Sequence, residues 1–140
     1  DYPKYDDEIT IVKNTTSNLL FELNPVISAK EIIYFQDLIR KIPINDNVLN
    51  YAVTLAAKTR PGNGMAAEVA EQYLKWGAGP RASQYLVVGA KTHAALHGKY
   101  SPDIEDVQAV APSILRHRII KNYKAEAESI SVEQIIGKLL

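Results

Sequence analysis

Residues 76–88 read WGAGPRASQYLVV. A glycine turn leads into a proline, an arginine and then an apolar run. Pro80 has a ring-fixed φ and no N–H to lose, which suits a first helical position. From Pro80 to about Lys99 the residues Ala82, Leu86, Gly89, Ala90 and Ala94, with Tyr85, Val88 and Leu96, are apolar or small on most sides of one helix. A helix of that kind is a buried one, so it is the expected centre of the fold. Arg81 is the anomaly. A helix N-terminus carries partial positive charge and favours an anion by roughly 0.3–1 kcal/mol. An arginine in the first turn has the wrong sign unless something negative meets it.

The flanking segments are helical as well. On the C-terminal side, SPDIEDVQAVAPSILRHR predicts a helix with Ser101 as N-cap, Pro102 at the first position and Asp103, Glu105 and Asp106 in the first turn. Ile104, Val107, Val110 and Ala111 form its apolar face, and Pro112 is expected to kink or divide it. The tail SISVEQIIGKLL carries a Ser131–Gln134 capping box before a final helix. On the N-terminal side, NDNVLNYAVTLAAKTRPGNG predicts a helix capped by Asn45 or Asp46. Leu49, Val53 and Ala56 or Ala57 line one face of it, and Arg60-Pro61-Gly62 stops it. SAKEIIYFQDLIRK has the capping-box pair Ser28 and Glu31, with Ile32, Phe35, Leu38 and Ile39 on one face and Pro43 beyond the end. YPKYDDEITIVKN reads as a short helix with Pro3 at its first position, and TTSNLLFELNPVI reads as a connector. MAAEVAEQYLKW, between two glycine-rich turns, is either a short helix or irregular. The class is therefore all-α, a small bundle of six or seven short helices with no strong strand pattern and no internal repeat.

The chain has 140 residues, enough for one domain with a real core. Lys+Arg and Asp+Glu both number 16, so net charge asks for neither nucleic acid nor an anionic membrane. The absence of cysteine excludes disulfides, thiolate metal sites and a cysteine nucleophile, and it fits a cytoplasmic setting. No apolar run approaches transmembrane length. The opening DYPKYDDE, without methionine, reads as part of a longer protein.

Little of the chain carries chemistry of its own. There is no phosphate-cradling glycine loop ending in Lys-Ser/Thr, no strand ending in paired acids, and no serine in a nucleophile elbow. His93 and His97 have a metal-capable spacing but no third ligand, so no metal site is expected. The basic run LRHRIIKNYK follows a helix end, where cations complement the dipole, and does not make a nucleic-acid footprint. In GPRAS, Pro80 presets the helix entry, and the first-turn amides point away from the helix without partners. Beside them a planar guanidinium could grip two phosphate oxygens. The competing reading gives Arg81 a surface carboxylate or another helix's C-terminus.

Several pieces match one pattern. WGAGPRAS is similar to the GASPRA motif of the MoxR group of AAA+ ATPases. YSPDIEDVQAVAPSILRHR resembles that group's V-x-P-x-D-V segment ending in L-x-H-R, AAKTRP its T-R helix end, and DYPKYDDEITIV its Y-P-x-x-x-E start. Order and spacing agree from about residue 2 to about residue 119. The resemblance implies a C-terminal helical lid spanning residues 1–140, with the nucleotide-binding core upstream and absent from this chain. It implies that Arg81 is the sensor-2 arginine, reaching the terminal phosphates of ATP, with Pro80 and Ala82 beside it. Arg60, in KTRP, matches a family position too; it is a candidate nucleotide contact, though a structural tie is the commoner use of such a residue. Gly79 departs from the family's serine and loses a capping side chain. For the intact protein the resemblance implies ATP and magnesium, a homo-oligomer such as a hexameric ring, and chaperone-like remodelling or maturation of clients, often with von Willebrand factor A-type partners. The fragment alone is not expected to hydrolyse ATP. The alternative is a stand-alone helical interaction module without nucleotide chemistry.

Overall fold

The computed structural model describes residues 2–18 and 23–140. The connector expected after the first helix includes residues 19–22, which lie outside the described residues. By contact density the chain divides into two units, Asp1–Ile32 and Ile33–Leu140.

The first unit holds α1 (Tyr5–Thr16) and the start of α2 (Ala29–Lys41). Pro3 is not the first helical position: Lys4, in extended conformation, is the N-cap. The helix also runs through Thr15 and Thr16, expected in the connector, and their hydroxyls donate to the carbonyls of Ile11 (2.8 Å) and Val12 (2.6 Å). At the start of α2 the expected capping box is closed. The Ser28 N–H donates to Glu31 Oε2 at 2.7 Å and the Glu31 N–H donates to Ser28 Oγ at 3.3 Å. α2 buries none of its residues.

The second unit is built around α3 (Asp46–Lys58), α5 (Pro80–Leu96) and α6 (Ile104–Leu115), with α4 (Glu68–Tyr73), α7 (Tyr123–Ala127) and α8 (Val132–Leu139) closing the core. α5 is central. Ala82, Leu86, Ala90 and Ala94 recur every fourth residue and are fully buried, the stripe that a 3.6-residue period turns inward. α6 approaches α5 closely at Gly89. A Cβ placed on Gly89 would lie 3.0 Å from Ile114 Cδ1 and 3.2 Å from Val110 Cγ2, so even one methyl there would have to displace α6 side chains. The outer side of α5 is wetter than expected, with Tyr85, Val88 and Leu96 exposed. The face of α3 is also displaced by one residue. Val48, Ala52, Leu55 and Ala56 are buried, while Leu49 and Val53 are exposed. Complete burial of a residue such as Leu55 or Leu115 contributes about 1.5–3 kcal/mol.

α6 begins later than expected. Its N-cap is Asp103, not Ser101, and Pro102 is buried ahead of the helix. Asp106 decides the start: its Oδ2 accepts from the Asp103 N–H at 2.8 Å, which draws the first turn to that position. The helix continues through Pro112 to Leu115. The Ser131–Gln134 box of α8 is closed, with bonds of 2.8 and 3.1 Å. Two elements escape the expected pattern. Leu74–Trp76 (β1) pairs antiparallel with Ile120–Lys121 (β2), a ribbon too short to show alternation, and α7 starts at Tyr123, in the last two residues of the basic run. The described residues thus form eight helices and one two-stranded ribbon, an all-α fold.

Candidate functional site

β1 ends at Trp76, and three residues later α5 begins. The turn between them, Gly77-Ala78-Gly79, is fastened to the corner after α3. Thr59, the C-cap of α3, is fully buried. Its hydroxyl donates to the Ala56 carbonyl at 2.6 Å and accepts from the Ala78 N–H at 2.8 Å. The next residue, Arg60, donates Nε–H to the Ala78 carbonyl at 2.7 Å. Both polar groups of the Ala78 backbone are therefore held by consecutive residues, and the Ala78 methyl is fully buried. Gly77 lies flat against the same corner. A Cβ there would collide with the Thr59 carbonyl and stand 2.6 Å from Arg60 Cα.

This fixed loop delivers the start of α5. Gly79 is the N-cap, extended at φ −75° and ψ 179°, and offers no capping side chain. Pro80 is the first helical residue, and the Ala82 N–H turns back to the Gly79 carbonyl at 2.9 Å. Among the described residues nothing accepts from the Arg81 N–H, and no carboxylate or carbonyl pairs with its guanidinium. The first turn has no acidic residue. Pro80 and Arg81 are exposed, whereas the Ala82 side chain is in the core. The structure thus brings Arg60, Pro80 and Arg81 to one loop, with Arg60 engaged through Nε. An exposed guanidinium beside an uncapped N-terminus is a place for an anion.

The other candidate groups are occupied within the fold. His93 Nδ1 lies 2.7 Å from Asp106 Oδ1, and His97 Nδ1 lies 2.7 Å from the His93 carbonyl oxygen. No group of three metal-ligating side chains occurs among the described residues. Asp106 is 1% exposed. Burial by itself would raise its pKa, but the Asp103 N–H, His93 and Lys99 (3.0 Å from Oδ2) together hold it below its ordinary value. Arg116 Nε donates to the Pro112 carbonyl at 3.2 Å and Arg118 Nη1 to the Ile114 carbonyl at 2.5 Å, so both close the end of α6. Arg118 also stands 5.0 Å from the centre of the Tyr85 ring. Lys121 donates to the Ile130 carbonyl and pairs with Glu126, and Lys124 lies over Tyr73. The basic run therefore meets its own fold. No helix of the described residues is long and apolar enough to cross a membrane.

Thr59 and Gly77 escaped sequence reasoning as parts of this site. Their only signal was position: each sits inside a short motif, KTRP and WGAG, whose residues meet only in three dimensions.

Residues 66–139 match the model of the AAA lid domain. The chain is 26% identical over 140 residues to the uncharacterized protein YeaC of Bacillus subtilis, covering 99% of this chain and 41% of that protein. It is 27% identical over 115 residues to the chaperone MoxR1 of Mycobacterium tuberculosis, covering 82% of this chain and 30% of that protein. A crystal structure from Cytophaga hutchinsonii, assigned as an ATPase, superposes with a TM-score of 0.76 at 30% identity, over 99% of this chain and 42% of the other. The chain therefore spans well under half the length of these relatives. Since the family model matches more than half of the residues and the relatives include a MoxR chaperone, the chain belongs to the AAA lid domain family and is a lid of the MoxR-type AAA+ ATPases.

Proposed function

We propose that this chain is the lid through which a longer MoxR-type ATPase senses its nucleotide, and that Arg81 is the residue that touches the terminal phosphates. The observation that carries this reading is the unpaired Arg81 guanidinium, set on a fastened loop in a helix turn with no acid of its own. These groups fit a polyphosphate. The guanidinium offers parallel N–H donors, and the exposed start of α5 adds the field of its amides. Pro80 holds the turn open at that position, and Ala82 anchors the next residue in the core. Arg60 serves mainly by gripping Ala78.

ATP is the substrate, and its hydrolysis puts growing negative charge on the transferring phosphoryl group. Arg81 would meet that charge and ease its formation. Loss of the phosphate would release the arginine, so the lid would report the state of the nucleotide. The phosphate loop and the magnesium-binding acids would belong to a core domain preceding residue 1. The intact protein would be a cytoplasmic homo-oligomer, a hexameric ring, that uses this cycle to remodel or mature clients together with von Willebrand factor A-type partners. Steady-state ATP turnover and nucleotide affinity of the intact protein, measured beside Arg81→Ala, test the reading. A fall in turnover supports it. Unchanged turnover and affinity would return Arg81 to an ordinary surface role and favour the interaction-module alternative, for which the exposed Ile33, Tyr34 and Phe35 of α2 would then be the starting point.

A further inference from the structure

We propose that Thr59 is a positioning residue for Arg81, acting with Arg60 through the Ala78 peptide; this rests on the reading of Arg81 as a phosphate contact. A threonine hydroxyl has one hydrogen to give and lone pairs to receive. Here the hydrogen goes to the Ala56 carbonyl, a rigid group at the end of α3, at 2.6 Å. That bond sets the rotor, so the remaining lone pair faces the Ala78 N–H at 2.8 Å. Arg60 takes the Ala78 carbonyl at 2.7 Å. Ala78 cannot slide or rotate, because its amide and carbonyl are both held and its methyl is buried. Gly77 closes the remaining freedom by packing against the corner itself.

Arg81 follows Ala78 by three residues and precedes Ala82 by one. Ala78 and Ala82 are both fully buried. The Arg81 Cα is thus set between two points held against the corner after α3, and relative to that corner only its side chain swings. A charge that acts on a developing charge works best when its support does not have to reorganise. The buried hydroxyl supplies that support at a distance from the nucleotide, which it never touches.

The test is a set of variants of the intact ATPase, read as kcat, KM for ATP and melting temperature. Thr59→Val keeps the shape and removes the hydroxyl. It should lower kcat about tenfold, the scale of a small misplacement of a reacting group, with KM changed far less. Thr59→Ser restores the hydroxyl and should restore kcat. Leu139→Ala, a buried change in α8 that makes no bond to the loop, should lower the melting temperature without moving kcat at lower temperature. In an Arg81→Ala background, Thr59→Val should lower kcat by less than about twofold, because residues acting as one unit are not additive. If Arg81→Ala lowers kcat but Thr59→Val leaves it intact, or lowers it by the same factor in both backgrounds, the positioning role is overturned and the phosphate contact stands. If Arg81→Ala is silent, the phosphate contact fails and the positioning role falls with it. Should Thr59→Val not fold, Arg60→Lys loses the Nε bond at a half-exposed site. The same cycle then decides: coupling to Arg81 upholds the role, and additivity overturns it.

Discussion

α5 and α6 lie side by side, yet their N-termini are finished in opposite ways. α6 starts with Asp103, Glu105 and Asp106. Its own carboxylate accepts the Asp103 N–H, and His93, in the last turn of α5, and Lys99, just past its end, bond to the same carboxylate. Every demand of the helix end is met from inside the fold. α5 starts with glycine, proline and arginine. It has no capping side chain, no acid and a cation that pairs with no described residue, although the loop before it is held at both polar groups of Ala78. One end is closed for stability. The other is fixed in place but electrostatically incomplete, the difference expected if it is the end that meets a ligand.

The contrast can be broken from either side. Arg81→Ala in the intact ATPase should reduce turnover by about 10²–10³-fold, toward the lower range of arginine-finger effects. The same change should leave the melting temperature of this chain almost unmoved, because the side chain is exposed. A large loss of stability would mean that Arg81 belongs to the structural class after all. Asp106→Ala should do the reverse, costing about 1–3 kcal/mol in urea unfolding, because the bonds that this buried carboxylate accepts from the Asp103 N–H, His93 and Lys99 are lost together. A cost near zero would remove the closed end from the comparison.

Acid provides a third lever on the same carboxylate. The folded-state pKa of Asp106 is depressed, so the unfolded chain takes up the proton first as pH falls. Its contribution to stability is complete above the unfolded value of about 4 and disappears as pH drops through the lower folded value. Stability measured from pH 6 downward should therefore fall more steeply for the native chain than for Asp106→Asn; parallel curves would contradict the depressed pKa.

Arg81→Glu should stabilise the chain by about 0.5 kcal/mol, since an anion now meets the dipole, while abolishing ATP turnover. Stability and activity moving in opposite directions would be the sharpest sign that the end is built for a ligand. Gly79→Ser is the mildest change. Gly79 has open space around it and a φ that serine accepts, so a new cap should add a few tenths of a kcal/mol in thermal unfolding.

Much of this was legible in the residues. The capping boxes at Ser28–Glu31 and Ser131–Gln134, the Pro80 start and the alanine stripe of α5 are local signals, and local hydrogen bonding or a single helical period decides them. The α6 start was misread because Ser101-Pro102 is itself a good local signal, and a carboxylate whose partners come from α5 outweighed it. The face of α3 slipped by one residue because Leu49 and Val53 compete with Val48 and Ala52 as equally regular rows, and only the position of α5 chooses between them. Arg81 stood out in the sequence by its charge. The support beneath it did not, since Thr59 and Ala78 are 19 residues apart and their bond depends on how the intervening chain returns.

α5 closes at Gly98 in a left-handed turn, where the Lys99 N–H reaches the Ala94 carbonyl at 2.9 Å and the Gly98 N–H reaches the Ala95 carbonyl at 3.1 Å. Between that clasp and Pro80 run 17 residues, a rod about 25 Å long at 1.5 Å per residue. Gly89, near its middle, is pressed against α6, as a shaft rests in a bearing. A rod held at its middle transmits tilt, with its two ends travelling in opposite directions. A tilt of about 10° would carry each end roughly 2 Å, the scale on which packed helices shift in switching proteins. Lys99, at the far end, holds the Asp106 carboxylate that closes α6, so a pull felt at Arg81 would be read out as strain on a salt bridge at the opposite pole of the same helix.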